Sequence, residues 1–187
     1  MEARIRVGWN KFRQLVPLLT NKDISLIWRG KLYSSCVRSS MLHGSETWPV
    51  RKENETALQR AEMRMVRWMC GVRLKDRVPN KELRERLGIV DITSLLQQNR
   101  LRWYGHVLRK DDNDWVKKCM EYEVVGSRPR GRPKRTWLEV VQRDCQVRGL
   151  SKDDAMVRDR WRKLIRMVDE QERCEWMNVS SGTSSPG

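Results

Sequence analysis

Residues 54–71 read N-E-T-A-L-Q-R-A-E-M-R-M-V-R-W-M-C-G. Leu58, Ala61, Met65 and Trp68 recur at spacings of three and four, which lines them along one apolar side of a helix. Asn54 stands where a cap would open that helix, and Gly71 where a left-handed residue would close it. Arg60, Arg64 and Arg67 follow at spacings of four and three and so share a second face. Such a cationic stripe suits either plain solvation or contact with phosphate. A helix with one apolar and one charged side is the pattern that recurs along the chain, and it makes the expected fold all-α.

Upstream, Glu2–Leu19 carries Ile5, Trp9, Phe12, Val16 and Leu19 on one stripe, with Pro17 expected to end or kink the helix. Thr20 with Asp23 resembles a capping box, opening a second helix over about Asn21–Met41. Its stripe is looser: Ile24, Ile27, Trp28, Lys31, Cys36 and Met41, with Gly30 as a weak point. Leu42–Val50 breaks the pattern at Gly44 and Pro49.

Downstream, Arg73–Pro79 reads as a loop and Lys81–Leu87 as a short charged helix closed by Gly88. Asp91 or Thr93 caps a helix reaching about Lys110, which contains L-R-W-Y-G-H-V-L-R over residues 101–109. Gly105 inside it predicts close approach by another element. Histidine is a common acid–base residue, but no acid or nucleophile stands at a catalytic spacing from His106, so it reads as a packing or capping residue. After an acidic turn at Asp111–Asp114 come a short helix over Trp115–Tyr122 and another over Thr136–Arg148, closed by Gly149. Trp137, Val140, Val141 and Cys145 form the core face of the latter. Ser151 and Asp154 form a capping box for a last helix to about Trp176, with Ala155, Trp161, Leu164, Ile165 and Val168 inward. Asn178–Gly187 is expected to be a disordered tail. No internal repeat and no strand pairing is legible.

The 187 residues hold 39 Lys and Arg against 24 Asp and Glu, a net charge of +15, which points to a polyanionic partner. Residues 1–50 carry 8 basic and 3 acidic side chains and residues 51–110 carry 15 and 7, whereas residues 151–187 carry 7 of each. The field therefore belongs to the first 110 residues and to one further ribbon. That ribbon, residues 126–137, reads G-S-R-P-R-G-R-P-K-R-T-W. Pro129 and Pro133 hold it extended, and Gly131 lets its backbone approach another surface. Arg128, Arg130, Gly131, Arg132, Lys134 and Arg135 are candidate nucleic-acid contacts. The core Pro129–Pro133 resembles an AT-hook, whose arginines enter the narrow minor groove of A·T-rich DNA. A solvated linker between helices is the other reading.

Five cysteines at wide spacing, with no C-x-x-C and only His43 and His106, support neither a zinc site nor a disulfide framework. Reduced, buried thiols, the lack of a signal-peptide core and the lack of a long apolar run predict an intracellular, nuclear protein with no membrane partner, cofactor or metal. Nine tryptophans can anchor helices or stack on bases.

Three stretches then carry a resemblance: His43–Val50 (H-G-S-E-T-W-P-V), Leu101–Arg109 and Gly131–Trp137 (G-R-P-K-R-T-W). Their order and spacing resemble the C-terminal region of the endonuclease–reverse transcriptase of non-LTR retrotransposons of the RTE/BovB-like kind, from about Ile5 to about Arg166. The resemblance implies a thumb-like helical bundle over 1–72 that grips a template–primer duplex by its backbone. It further implies a helical connector over 73–125, the AT-hook-like strip over 126–135, a C-terminal helical pair over 136–177 and the tail over 178–187. Arg102 and Arg109 join Arg60, Arg64 and Arg67 as candidate contacts. The paired aspartates of the family's polymerase have no counterpart here, since Asp111-Asp112 and Asp153-Asp154 lack the hydrophobic strand that would position two metals. No endonuclease segment is present either. The expected function is a non-catalytic grip on RNA, DNA or an RNA–DNA duplex, alone or with the remainder of a reverse transcriptase, and with no small-molecule substrate. The alternative is a helical protein-interaction module or a decayed retroelement remnant.

Overall fold

The computed structural model describes residues 2–48, 51–122 and 136–166. Among these residues every regular element is helical and no strand occurs, so the chain is all-α. The strip over 126–135, the last helix beyond residue 166 and the tail over 178–187 lie outside the described residues. The chain divides into two compact units, Met1–Leu96 and Gln97–Gly187.

The first unit contains α1 (Glu2–Leu19), α2 (Leu26–Leu32), a π-helical segment (Tyr33–Arg38), α3 (Ser39–Leu42), α4 (Lys52–Cys70), α5 (Asn80–Leu87) and the start of α6 (Ile92–Leu108). Phe12 and Leu19 of α1 are fully buried, and Ile5, Trp9 and Val16 pack beside them, as the stripe predicts. The helix runs on through Pro17 and stops two residues later, at Leu19. Thr20 does not open the next helix. Its hydroxyl donates back to the Val16 carbonyl at 2.7 Å, closing α1. The second helix starts later, at Leu26, where Ser25 Oγ accepts the Trp28 N–H at 3.4 Å.

The stripe expected on that helix is also corrected. Ile27, Trp28, Lys31 and Cys36 are exposed; Met41 is buried as expected, and with it Gly30, Tyr33 and Val37 face the core. Two arginines on the inward face hid the pattern. Arg29 donates to the carbonyls of Ile24 at 2.7 Å and Met69 at 2.8 Å. Arg38 pairs with Glu62 at 2.6 Å and donates to the Val90 carbonyl at 2.6 Å, with side-chain exposures of 4% for Arg38 and 1% for Glu62. A buried charge persists only when matched this closely. Burial pushes the Glu62 carboxyl above the usual carboxylate range, against the pull of the Arg38 guanidinium. Gly30 is a contact point: a Cβ there would overlap the Leu87 backbone carbonyl, so α2 and the end of α5 meet backbone to backbone.

Helix α4 starts at Lys52, two residues before the expected Asn54 cap, with Arg51 as an N-cap residue that makes no side-chain bond. It stops at Gly71, whose φ of 66° only glycine adopts freely, and the Val72 N–H donates to the Arg67 carbonyl at 3.0 Å. Leu58, Ala61 and Met65 are buried as expected, joined by Glu62, Val66 and Met69. Trp68, placed in the apolar stripe by its spacing, is half exposed and leans on Phe12, with ring centroids 5.5 Å apart.

The second unit contains the rest of α6, α7 (Trp115–Glu121), α8 (Trp137–Val147) and a helical run over 158–166, here α9. Leu101, Tyr104, Leu108, Val141, Ala155, Trp161 and Ile165 form its core. Gly105 answers the prediction made for it, since Trp161 of α9 occupies the space a side chain would need. Thr136 caps α8 by accepting the Glu139 N–H at 3.3 Å. The Ser151–Asp154 box forms reciprocally, at 2.9 and 3.2 Å, but it opens a 3-10 turn over Asp153–Ala155, and α9 begins only at 158. Asp144, unremarked in the sequence pattern, is buried between Arg100 at 2.9 Å and Gln97 at 3.0 Å. Burial, then the neighbouring Asp144, pushes the Cys145 thiol up to about 11.

Candidate nucleic-acid interface

The inward face of α4 is fixed by Leu58, Met65 and Met69, so Arg60, Arg64 and Arg67 turn to its other side. There they meet α5 and the 3-10 turn Leu74–Asp76, and the three elements enclose a groove of about 660 Å³. Arg84 of α5 adds a fourth guanidinium. Arg60 and Arg64 are exposed and have no carboxylate partner among the described residues. Arg67 is held in place: it donates to the Asn80 side-chain oxygen at 2.5 Å and to the Met63 carbonyl at 3.3 Å.

Two carboxylates reach the same groove, and both are engaged. Glu62 is held from behind by Arg38. Asp91 takes Arg84 at 3.1 Å, the Thr93 N–H at 3.1 Å and the Gln59 amide at 3.4 Å. Burial works to raise the Asp91 carboxyl, but the Thr93 hydroxyl and the Arg84 guanidinium outweigh it and hold the group below its ordinary range. Arg60, Arg64 and Arg67 therefore remain for an anion from outside.

The spacing argument did place Arg60, Arg64 and Arg67 on one face. Arg84, Gln59 and Asn80 had no such signal, because only the packing of α5 on α4 brings them there. Arg102 and Arg109 belong to the second unit and do not line this groove. Arg102 is exposed on α6. Arg109 donates to the Ala155 carbonyl at 2.6 Å, and burial followed by the nearby Arg158 lowers its pKa. Arg128, Arg130, Gly131, Arg132, Lys134 and Arg135 lie outside the described residues.

His106 is exposed rather than packed in the core, its ring 5.6 Å from that of Trp103. The adjacent acids serve local structure: Asp112 pairs with Lys117 at 2.5 Å, and Asp154 with Arg160 at 2.9 Å. Among the described residues no group of three or more His, Cys, Asp or Glu is placed to hold a metal, and no helix is long and apolar enough to cross a membrane.

An uncharacterized transposon-derived protein of Caenorhabditis elegans is 23% identical to this chain over 187 residues. The match takes in 96% of this chain and 63% of that protein, so the chain spans less than two thirds of its relative's length. No family model matches the chain. No solved structure matches it. The similarity supports a transposon origin.

Proposed function

We propose that this chain is a non-catalytic nucleic-acid-binding piece of a transposon-encoded protein, derived from the thumb and post-polymerase region of a retrotransposon reverse transcriptase of the RTE/BovB-like kind. The observation that carries the reading is the convergence of Arg60, Arg64 and Arg67 on one groove whose carboxylates are already spent on Arg38, Arg84 and other internal partners. Guanidinium groups left over in this way match phosphate oxygens in charge and in hydrogen-bond geometry. The excess of basic side chains through the first 110 residues raises the local concentration of any polyanion and steers it inward.

In this reading the chain holds RNA, DNA or an RNA–DNA duplex by its backbone, in the nucleus, while chemistry takes place on another polypeptide. No catalytic residue, metal or cofactor is assigned. The test is a titration of a labelled RNA–DNA duplex at two salt concentrations, with wild type and with Arg60→Ala/Arg64→Ala. Tight binding that weakens steeply with salt, and less steeply in the variant, supports the reading. Binding indifferent to salt and to both arginines overturns it.

A further inference from the structure

The α4–α5 groove is shaped for more than a passing phosphate backbone. A duplex backbone needs only an exposed ridge or shallow face of cations. Here the cations rim a concavity of about 660 Å³, inside the range of sites that enclose a small organic group. Its lining is mixed in a definite way. Arg60 and Arg64 stand at the exposed rim of the helix. Leu74 stands out from its turn at 78% exposure and gives the groove an apolar wall, while Met63 lies beneath, covered by the Arg84 guanidinium 3.9 Å from its sulfur.

Two side-chain amides complete it. Gln59 of α4 spends its nitrogen on long bonds to Asp91 at 3.4 Å and Thr93 at 3.5 Å, which leaves its oxygen without a partner among the described residues. Asn80 of α5 spends its oxygen on Arg67, which leaves its amide nitrogen as a donor. One acceptor and one donor thus come from different helices into a groove with apolar surface and a guanidinium rim. Phosphate makes no use of an apolar wall or of an amide acceptor. A nucleobase uses both, because its edge carries donors and acceptors and its faces are apolar.

We propose that the groove takes one unpaired nucleotide, its base against Leu74 with the edge read by Gln59 and Asn80, and its flanking phosphates on Arg60, Arg64 and Arg67. The proposal rests on the nucleic-acid reading and narrows the ligand to strands with a single-stranded extension or a displaced base. A continuous duplex keeps its bases stacked and can reach the rim arginines alone.

The experiment compares the full chain on two labelled duplexes of equal length and charge, one blunt and one ending in a short single-stranded extension, by anisotropy at fixed salt. The extended duplex is expected to bind about five- to tenfold more tightly. Gln59→Ala should remove most of that preference, read as the ratio of the two affinities in the variant against the same ratio in the wild type. A thermal melt of the variant confirms folding, and the wild-type comparison needs no variant at all. Equal affinity for the two duplexes overturns the nucleotide pocket but leaves the backbone grip standing. Absence of salt-dependent binding to either sinks both. A free nucleoside triphosphate that competes at micromolar concentration would show that the site prefers a mononucleotide to a strand, which also overturns the proposal as stated.

Discussion

Trp161 donates its indole N–H to the Leu101 carbonyl at 3.0 Å and rests on the bare backbone of Gly105, one turn along α6. The glycine and the tryptophan are therefore a matched pair: the helix gives up a side chain so that the indole can reach its acceptor. Gly105→Ala would gain up to about 1 kcal/mol from helix propensity at an open position. Here the new Cβ would overlap the indole, and overpacking of this kind costs about 1–3 kcal/mol. The expected outcome is a net fall in the urea midpoint, and a rise would contradict the contact. Gly30→Ala should fall further, because the obstacle is the Leu87 backbone carbonyl, which cannot rotate aside.

Arg38 and Glu62 make the second prediction. Removing one member strands the other charge in the core, so Glu62→Leu should cost about 3–5 kcal/mol. Arg38→Met in the same chain should recover a large part of that loss, because two apolar side chains need no partner. Chemical denaturation of the two singles and the double gives the coupling directly. Additive effects would mean that the pair does not interact as its geometry requires.

These two cases also show what the amino-acid sequence could and could not reveal. Gly105 was legible because a glycine within an otherwise strong helical pattern has few purposes. The α1 stripe was legible because all its inward residues are apolar. The second helix was not, because Arg29, Gly30 and Arg38 sit inward and look like solvent-facing residues to any periodicity argument. Its π-helical segment compounds the error: with the Ser39 N–H bonded five residues back to the Ser34 carbonyl, the faces drift away from regular helical spacing. In the groove, a single helix wrote Arg60, Arg64 and Arg67 into the sequence. The contribution of α5 exists only after folding.

Asp91 predicts a pH dependence for the first unit. Its folded pKa lies below the ordinary value of 3.8, so the ionised form stabilises the fold, and that contribution is present above the ordinary value and lost as pH falls below it. Asp91→Asn should flatten the acid limb of the stability curve below about pH 4 while costing stability at neutral pH, where the Arg84 pair is intact in the wild type. Denaturant midpoints at pH 3 and pH 7 check this. An unchanged acid limb would show that Asp91 keeps no advantage in the folded state.

Arg60 and Arg64 bear on the grip itself. If each meets one phosphate, the slope of log affinity against log salt should shrink by about 0.9 for each arginine removed on duplex DNA, and by about 0.7 on a single strand. Arg143→Ala, an exposed arginine of the second unit that does not line the groove, serves as the charge-matched control. A slope reduced as much by the control would assign the salt dependence to net charge and not to the groove.

The basic strip over 126–135 supplies the last prediction. Arg130 and Arg132 flank Gly131 between Pro129 and Pro133, a sequence that resembles the minor-groove arginine pair of an AT-hook. Narrow A·T-rich minor grooves concentrate negative potential, so arginines inserted there gain more than arginines laid along a phosphate ridge. Arg130→Ala/Arg132→Ala should therefore weaken binding to A·T-rich duplex by more than it weakens binding to G·C-rich duplex of the same length, with at least a severalfold difference between the two losses. The comparison must be made at one salt concentration, because the shared phosphate contribution scales with it. Equal losses on both duplexes would make the strip a backbone clamp. No loss on either would leave the cationic face of α4 as the sole anchor and the ribbon as a tether between helices.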